Sequence, residues 1–118
     1  MRVFLASIPL EAARVVIVGA GEPALAKLRL FLNTPADLAW FAPDGEPATL
    51  ETPQGAPAPA ARTPHAQDFA GARLVFIALQ DVAEAARLAG LARAGGAQVN
   101  VVDHPGLSDF QTPALIDR

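Results

Sequence analysis

Residues 19–24 read Gly-Ala-Gly-Glu-Pro-Ala and have the spacing of a dinucleotide-binding loop, Gly-x-Gly-x-x-Gly/Ala. In such a loop the first glycine permits a tight turn, and the second lets the backbone approach a pyrophosphate. The N-terminus of the following helix then offers free N–H groups and a positive dipole to the phosphates. The alternative is a glycine turn that only packs a helix against a strand. We predict nucleotide binding, with cofactor contacts from Gly19, Ala20, Gly21, Glu22 and Pro23.

Acidic residues follow two other predicted strands. Asp44 comes after the second strand, where many dinucleotide-binding folds place an acid on the ribose 2′-hydroxyl group. It stands one or two residues beyond the usual place, so an ordinary turn aspartate is an equal alternative. Asp103 comes just after the fourth strand, where a carboxylate faces the ligand crevice and could serve as general acid or base beside a nicotinamide. The sequence Asp-His-Pro-Gly that begins there is also a favourable turn, so position alone leaves both roles open.

The histidines do not indicate a metal site. His104 follows Asp103 directly, and neighbouring residues on an extended chain point to opposite sides. His65 lies in a proline-rich segment, and the two histidines do not have the spacing of metal ligands. We therefore expect His104 to be a solvated turn residue, and we predict no metal site.

The pattern of apolar residues predicts the elements that position these groups. Strands are predicted at residues 15–18, 38–42, 74–78 and 99–102, and helices at residues 23–32 and 82–94. Continuous apolar runs such as Val-Val-Ile-Val at residues 15–18 are typical of strands buried on both faces of a parallel sheet. Strands that alternate with helices predict an α/β, Rossmann-like, three-layer domain with a mostly parallel sheet, whose ligands lie at the carboxyl ends of the strands.

Residues 43–66 form a proline-rich stretch that holds six of the eleven prolines of the chain. We predict an irregular surface loop there, with a weak strand around residues 48–51. We interpret the stretch as a loop and not as a linker, because the residues beyond it complete the same sheet and neither half alone has enough surface to bury. The sequence therefore predicts a single domain over residues 1–118.

Composition excludes several classes of function. The chain has no cysteine, which removes disulfides, thiolate metal ligands and cysteine nucleophiles and fits a reducing compartment. Its net charge is −3 and its nine Lys and Arg residues are scattered, which disfavours nucleic acid and membranes as partners. No apolar run approaches the ~20 residues that span a bilayer. We expect a soluble cytoplasmic domain.

Three segments together carry a family resemblance. They are residues 15–22 (VVIVGAGE), with Ala24, Lys27, Arg29 and Leu30, then residues 68–78 (DFAGARLVFIA), then residues 99–103 (VNVVD), followed by Asp109, Phe110 and residues 113–118 (PALIDR). In order and spacing they resemble the N-terminal domain of siroheme synthases, the module with precorrin-2 dehydrogenase and sirohydrochlorin ferrochelatase activities. The resemblance extends over nearly the whole chain apart from the proline-rich loop.

The resemblance implies an NAD⁺-dependent oxidation of the tetrapyrrole precorrin-2 to sirohydrochlorin, with Fe²⁺ insertion in the bifunctional members. It implies that Asp103 takes part in both steps. It also implies contacts to the NAD cofactor outside the glycine loop, from Pro43, Asp44, Leu79 and Gln80. In the family a helical region follows this domain, so the resemblance implies a homodimer or a second chain that supplies the rest of the tetrapyrrole site.

Departures from the family pattern keep a second function open. Pro23 stands where the family usually has Val, and it removes one backbone N–H from the loop. Leu79 and Gln80 stand where the family commonly has a threonine followed by an acidic residue. The alternative to a dehydrogenase is a non-catalytic nucleotide-binding or partner-binding module derived from the family. Both hypotheses require the glycine loop, whereas only the dehydrogenase requires Asp103.

Overall fold

The computed structural model describes residues 13–43 and 54–110 of the 118-residue chain. The strands are β1 (Arg14–Gly19), β2 (Asp37–Phe41), β3 (Ala72–Ala78) and β4 (Gln98–Val101). The helices are α1 (Gly21–Phe31) and α2 (Val82–Ala94), and short 3₁₀-helices lie at Ala66–Phe69 and Pro105–Leu107. Every predicted strand and helix at residues 15–42 and 74–102 is present, with bounds that differ by at most two residues.

The described strands form one parallel sheet in the order β2-β1-β3-β4. Helix α1 covers the face that carries Ile17 and Phe76, and α2 covers the opposite face, which carries Val16 and Val75. This arrangement confirms the predicted α/β, Rossmann-like, three-layer architecture. Because β2 and β3 lie on opposite sides of β1, the order of the strands reverses between β1 and β3. Parallel sheets bind ligands at the carboxyl ends of the strands beside such a switch point.

Strand β1 lies inside the sheet because its side chains are apolar on both faces. Val15 and Ile17 pack on the α1 side, Val16 and Val18 pack on the α2 side, and all four are fully buried. Burying each such side chain stabilises the fold by about 1.5–3 kcal/mol. This packing fixes the point at which the glycine loop leaves the sheet.

Helix α1 presents one apolar stripe to the sheet, formed by Ala24, Leu25, Leu28 and Phe31. It begins at Gly21, two residues before the predicted start. Helix α2 has the predicted bounds and buries mostly alanine, so it lies close to the sheet. Neither helix of residues 13–43 and 54–110 is long and apolar enough to cross a membrane.

Short segments cover both edges of the sheet. Ala60 forms a parallel bridge to the end of β2. Beside β4, the Ser108 hydroxyl and the Asp109 carboxylate accept hydrogen bonds from backbone N–H groups of the strand at 2.8 and 2.9 Å. Apart from this isolated bridge, residues 54–65 have no regular strand or helix, as predicted, and the weak strand predicted around residues 48–51 lies outside the described residues.

Candidate cofactor and catalytic site

A cavity of about 520 Å³ lies at the carboxyl ends of the strands, between the segments that follow β1, β2 and β3. We call it the cofactor crevice. Its walls include Ala20, Pro43, Leu79 and Gln80, which are among the residues predicted to contact the cofactor. The topology brings these residues together, because parallel neighbours present their carboxyl ends at one edge of the sheet. The other lining residues are Thr63, Ala78, Asp81 and Glu84.

Gly19 ends β1 where no side chain fits. Its φ is 133°, and a Cβ atom placed there would lie 2.4 Å from the carbonyl oxygen of Ala78 at the end of β3. The Gly19 carbonyl in turn accepts a hydrogen bond of 2.8 Å from the indole N–H of the buried Trp40. Gly19 is therefore required by the fold itself, since it lets the ends of β1 and β3 approach each other.

Gly21 faces open space. Its φ is 83°, and a Cβ atom there would approach only the Cδ atom of Pro23, at 3.7 Å. The N-cap residue of α1, Ala20, makes no side-chain hydrogen bond to the helix. The N–H groups in the first turn of a helix have no partner inside the helix, so those of Gly21 and Glu22 are available to a ligand. This cradle fits the pyrophosphate of a dinucleotide.

The Glu22 side chain is held by α1 itself. Its carboxylate accepts two hydrogen bonds from the Arg29 guanidinium, at 2.8 and 3.1 Å. These hydrogen bonds hold the pKa of Glu22 below its usual value. A cofactor contact from Glu22 would therefore come from its backbone N–H, whereas the neighbouring Pro23 has no N–H to offer.

A second cavity, of about 250 Å³, lies beyond the carboxyl end of β4 on the α1 side of the sheet. We call it the Asp103 cavity, and its lining residues are Lys27, Asn100, Val101, Val102, Asp103, His104 and Pro105. The predicted catalytic residue thus borders an open cavity at the same edge of the sheet as the cofactor crevice. Within residues 13–43 and 54–110, no group of three or more His, Asp or Glu side chains is placed to hold a metal ion.

The backbone of Asp103 has a φ of 66°, the one positive φ of a non-glycine residue among the described residues. The turn is closed by the His104 N–H, which donates to the Val101 carbonyl at 3.0 Å. The segment is a turn and not the extended chain on which the opposite directions of Asp103 and His104 were predicted, and both residues line the cavity. A left-handed conformation costs a non-glycine residue free energy, and such strain is concentrated at functional sites.

Comparison with known proteins fits this geometry. A family model described as NAD(P)-binding matches residues 6–114. The chain belongs to this NAD(P)-binding family. The siroheme synthase of Pseudomonas putida (strain W619) is 40% identical over 92% of the chain, and that of Methylococcus capsulatus (strain Bath) is 41% identical over 86%. The siroheme synthase of Azotobacter vinelandii is 37% identical over 92% of the chain. The chain spans about a quarter of the length of these curated relatives, between 22% and 24%.

Lys27 is a residue of this NAD(P)-binding domain that the sequence did not assign to the site. Its ammonium lies 5.6 Å from the centroid of the Phe76 ring, at the wall of the Asp103 cavity. Burial lowers the pKa of Lys27, and the nearby Asp103 carboxylate partly opposes this effect by raising it. The sequence could have indicated this position. Lys27 is three residues after Ala24 and four before Phe31, which places it at the edge of the apolar stripe of α1.

Asp81 and Glu84 were also missed, and they give the cofactor crevice an acidic wall. The Asp81 carboxylate caps α2 by accepting the Glu84 N–H at 3.2 Å. The Glu84 carboxylate accepts hydrogen bonds from Arg87 at 2.9 and 2.7 Å, which lower the pKa of Glu84. The sequence Asp-Val-Ala-Glu at residues 81–84 has the spacing of a capping box and could have indicated both positions.

Asn100 is a buried polar residue between Val99 and Val101 of β4. A polar residue within an apolar strand could have indicated a specific role for Asn100 from the sequence. Its side-chain amide donates a hydrogen bond of 2.9 Å to the Phe110 carbonyl. The Phe110 ring packs edge-on against Phe76 at 5.5 Å between centroids. Asn100 therefore ties the segment beyond Asp103 back to β4 and shapes one wall of the Asp103 cavity.

The structure divides the predicted site residues between two neighbouring places. The glycine loop, Pro43, Leu79 and Gln80 surround or adjoin the cofactor crevice, and Asp103 lines the second cavity. Asp44 lies outside the described residues. The individual roles of these residues in binding and catalysis stay predictions.

Proposed function

We propose that this chain is an NAD⁺-dependent dehydrogenase domain that oxidises precorrin-2 to sirohydrochlorin, with Asp103 as the residue that accepts a proton. The similarity to siroheme synthases supports this substrate. The observation that carries the proposal is the conformation of Asp103, whose carboxylate lines a cavity at the carboxyl edge of the sheet while its backbone is held at a φ of 66°.

The cofactor would lie along the carboxyl edge of the sheet. The N–H groups of Gly21 and Glu22 would hold the pyrophosphate, and the crevice beside Pro43 and Leu79 would hold the adenosine half. The nicotinamide half would then reach toward β4. NAD⁺, when bound, accepts the hydride that precorrin-2 loses.

The acidic wall of the crevice favours NAD⁺ over NADP⁺. Asp81 and Glu84 line the crevice, and a 2′-phosphate would be repelled by their charges. Arg87 and Arg62 are each paired with a carboxylate, Arg87 with Glu84 at 2.7 Å and Arg62 with Asp68 at 2.9 Å. A 2′-phosphate would have to displace one of these carboxylates to gain an arginine.

Asp103 would act as the general base of the oxidation. In the oxidation the substrate loses one hydride, which passes to NAD⁺, and one proton. The Asp103 carboxylate accepts this proton and passes it to solvent. Asp103 is exposed to solvent, so the proton has a direct path from its carboxylate to bulk water.

We further propose that a second copy of the chain or another protein completes the substrate site. The Asp103 cavity holds about 250 Å³, whereas sites that enclose a whole ligand commonly measure ~300–1,000 Å³. A tetrapyrrole must therefore lie mainly outside the cavity, against a surface that residues 13–43 and 54–110 do not enclose. The domain would act in the cytoplasm, which its lack of cysteine favours.

The test is an anaerobic assay of NADH formation from NAD⁺ and precorrin-2, with the wild-type chain and Asp103→Asn. General acid–base catalysis contributes about 10²–10⁴-fold, so we expect the substitution to lower kcat by at least about a hundredfold. Calorimetry should show NAD⁺ affinity unchanged within about twofold, because Asp103 does not line the cofactor crevice. Equal rates for the two proteins would contradict the assignment of Asp103. NAD⁺ binding without turnover in the wild type would favour the non-catalytic nucleotide-binding module.

A further inference from the structure

Lys27 is the single lysine of the chain, and the other eight cationic side chains are arginines. We propose that Lys27 binds one carboxylate group of the substrate in the cavity that it shares with Asp103. This inference rests on the proposed function, since it takes the substrate to be a tetrapyrrole that carries several carboxylate arms. It assigns to α1 a second role besides holding the cofactor.

The size of the Asp103 cavity limits what can enter. About 250 Å³ corresponds to roughly eight water molecules at ~30 Å³ each, which is enough for one acetate or propionate arm but not for a macrocycle. An arm that enters would meet Lys27 on the α1 side and Asp103 on the β4 side. The ring would then be held at the mouth of the cavity, with a reacting carbon near Asp103.

The surroundings of Lys27 suit a bound anion. The Phe76 ring and the cavity wall remove water from its ammonium, which lowers the pKa of Lys27, while the carboxylate of Asp103 raises it. A second carboxylate would restore the solvation that burial removes. An ammonium has three N–H donors, so it can contact a substrate carboxylate without losing its interaction with Asp103.

The single lysine also provides a direct probe. In protein labelled with ¹⁵N-lysine, the side-chain ammonium gives one resonance, and its titration reports Lys27 alone. Uroporphyrin serves as the ligand because it is a tetrapyrrole polycarboxylate that the dehydrogenase step does not consume. We expect saturating uroporphyrin to shift the resonance and to raise the pKa of Lys27. A resonance that does not move, or a wild-type chain that fails to bind uroporphyrin, would overturn the proposal.

Substitutions separate the charge of Lys27 from its packing. Lys27→Met keeps an unbranched side chain against Phe76, and we expect it to weaken uroporphyrin binding by about ten- to a hundredfold, the range of one charge-assisted hydrogen bond. Lys27→Arg keeps the charge and should bind within about fivefold of the wild type. Arg73→Met is the matched control, because Arg73 is an exposed cation near the amino end of β3, at the opposite edge of the sheet. It should change binding by less than about twofold.

Kinetics distinguish failure of this inference from failure of the proposed function. If the chain oxidises precorrin-2, Lys27→Met should raise KM by about tenfold or more and lower kcat by less than about threefold. An unchanged KM in an active enzyme would overturn the role of Lys27 alone. If the chain does not oxidise precorrin-2 but binds uroporphyrin in a Lys27-dependent manner, the dehydrogenase proposal fails and the carboxylate site stands.

Discussion

At the scale of single residues, the two glycines of the loop have different roles although both have a positive φ. A Cβ atom at Gly19 would collide with the Ala78 carbonyl, whereas one at Gly21 would project into open space beside the crevice. Gly19 is therefore required by the packing of β1 against β3, whereas the packing does not require a glycine at position 21, where we predict a contact to the ligand. The glycine pattern of residues 19–24 predicted that both positions are needed, but it could not separate these two reasons.

Gly21→Ala should fold and lose the cofactor. A methyl group at a φ of 83° costs about 1–2 kcal/mol of unfolding free energy and occupies the space that a pyrophosphate needs. Gly71→Ala is the matched control, because Gly71 has a φ of 77° with no atom within 4 Å of a Cβ and does not line the crevice. Urea denaturation should give similar losses for both variants, and calorimetry should show an NAD⁺ affinity at least about tenfold lower only for Gly21→Ala. Equal NAD⁺ affinities would show that the loop is structural.

At position 103, substitution by glycine should destabilise the fold less than substitution by alanine. At a φ of 66° the glycine variant avoids the strain of a Cβ atom, so Asp103→Gly should be more stable to urea than Asp103→Ala by about 1–2 kcal/mol. At the exposed Gln98 of β4 the order should reverse, since glycine weakens a regular strand by about 0.5–1 kcal/mol. Both Asp103 variants should lack dehydrogenase activity. The same order of stability at the two positions would show that Asp103 is not strained.

At the scale of elements, the two helices begin in opposite ways. Helix α2 is capped by its own Asp81, whereas α1 begins after Ala20 without a side-chain cap. An uncapped helix end leaves donors for an anion, which agrees with the predicted phosphate contact at the start of α1. The sequence predicted both helices because their apolar spacing is regular. It placed the start of α1 at Pro23, two residues too late, because proline is common in the first helical turn whereas glycine is a poor helix former.

The 3₁₀-helix at Ala66–Phe69 anchors the segment that carries Thr63 to the crevice wall. Its Asp68 carboxylate binds the Arg62 guanidinium at 2.9 and 3.0 Å and accepts the His65 N–H at 2.6 Å. These contacts lower the pKa of Asp68 from 3.8 to about 2, with the Arg62 hydrogen bonds as the largest cause. The sequence did not predict this 3₁₀-helix, because the neighbouring prolines favour an irregular loop.

The stability of the chain should depend on Asp68 in mildly acidic solution. A carboxyl group whose pKa is lowered by folding stabilises the native state above its unfolded pKa, and this stabilisation is lost as the pH falls from about 4 toward 2. We expect Asp68→Asn to lower the free energy of unfolding by about 1–2 kcal/mol at pH 7, and by much less at pH 2.5. Urea denaturation at both pH values measures the difference. A loss of equal size at both would assign the effect to packing.

At the scale of the whole molecule, the strand order brings distant segments to one edge of the sheet. Lys27 of α1 and the turn after β4 meet in the Asp103 cavity because β3 lies between β1 and β4 and α1 packs across this face. The sequence predicted the parallel sheet, and with it the edge at which the site lies. It could not predict the contact between Lys27 and the turn, which depends on helix packing, nor the left-handed Asp103, since few residues other than glycine mark such a turn.

The most direct test is to measure the binding of NAD⁺ and NADP⁺ to the purified chain. Calorimetry and the fluorescence of Trp40 both report this binding. Trp40 is the single tryptophan and lies 2.8 Å from the Gly19 carbonyl, so a ligand on the glycine loop should change its emission. We expect NAD⁺ to bind with a dissociation constant of roughly micromolar to low millimolar, and NADP⁺ to bind at least about tenfold more weakly because of Asp81 and Glu84. Binding of neither nucleotide, or tighter binding of NADP⁺, would contradict the account.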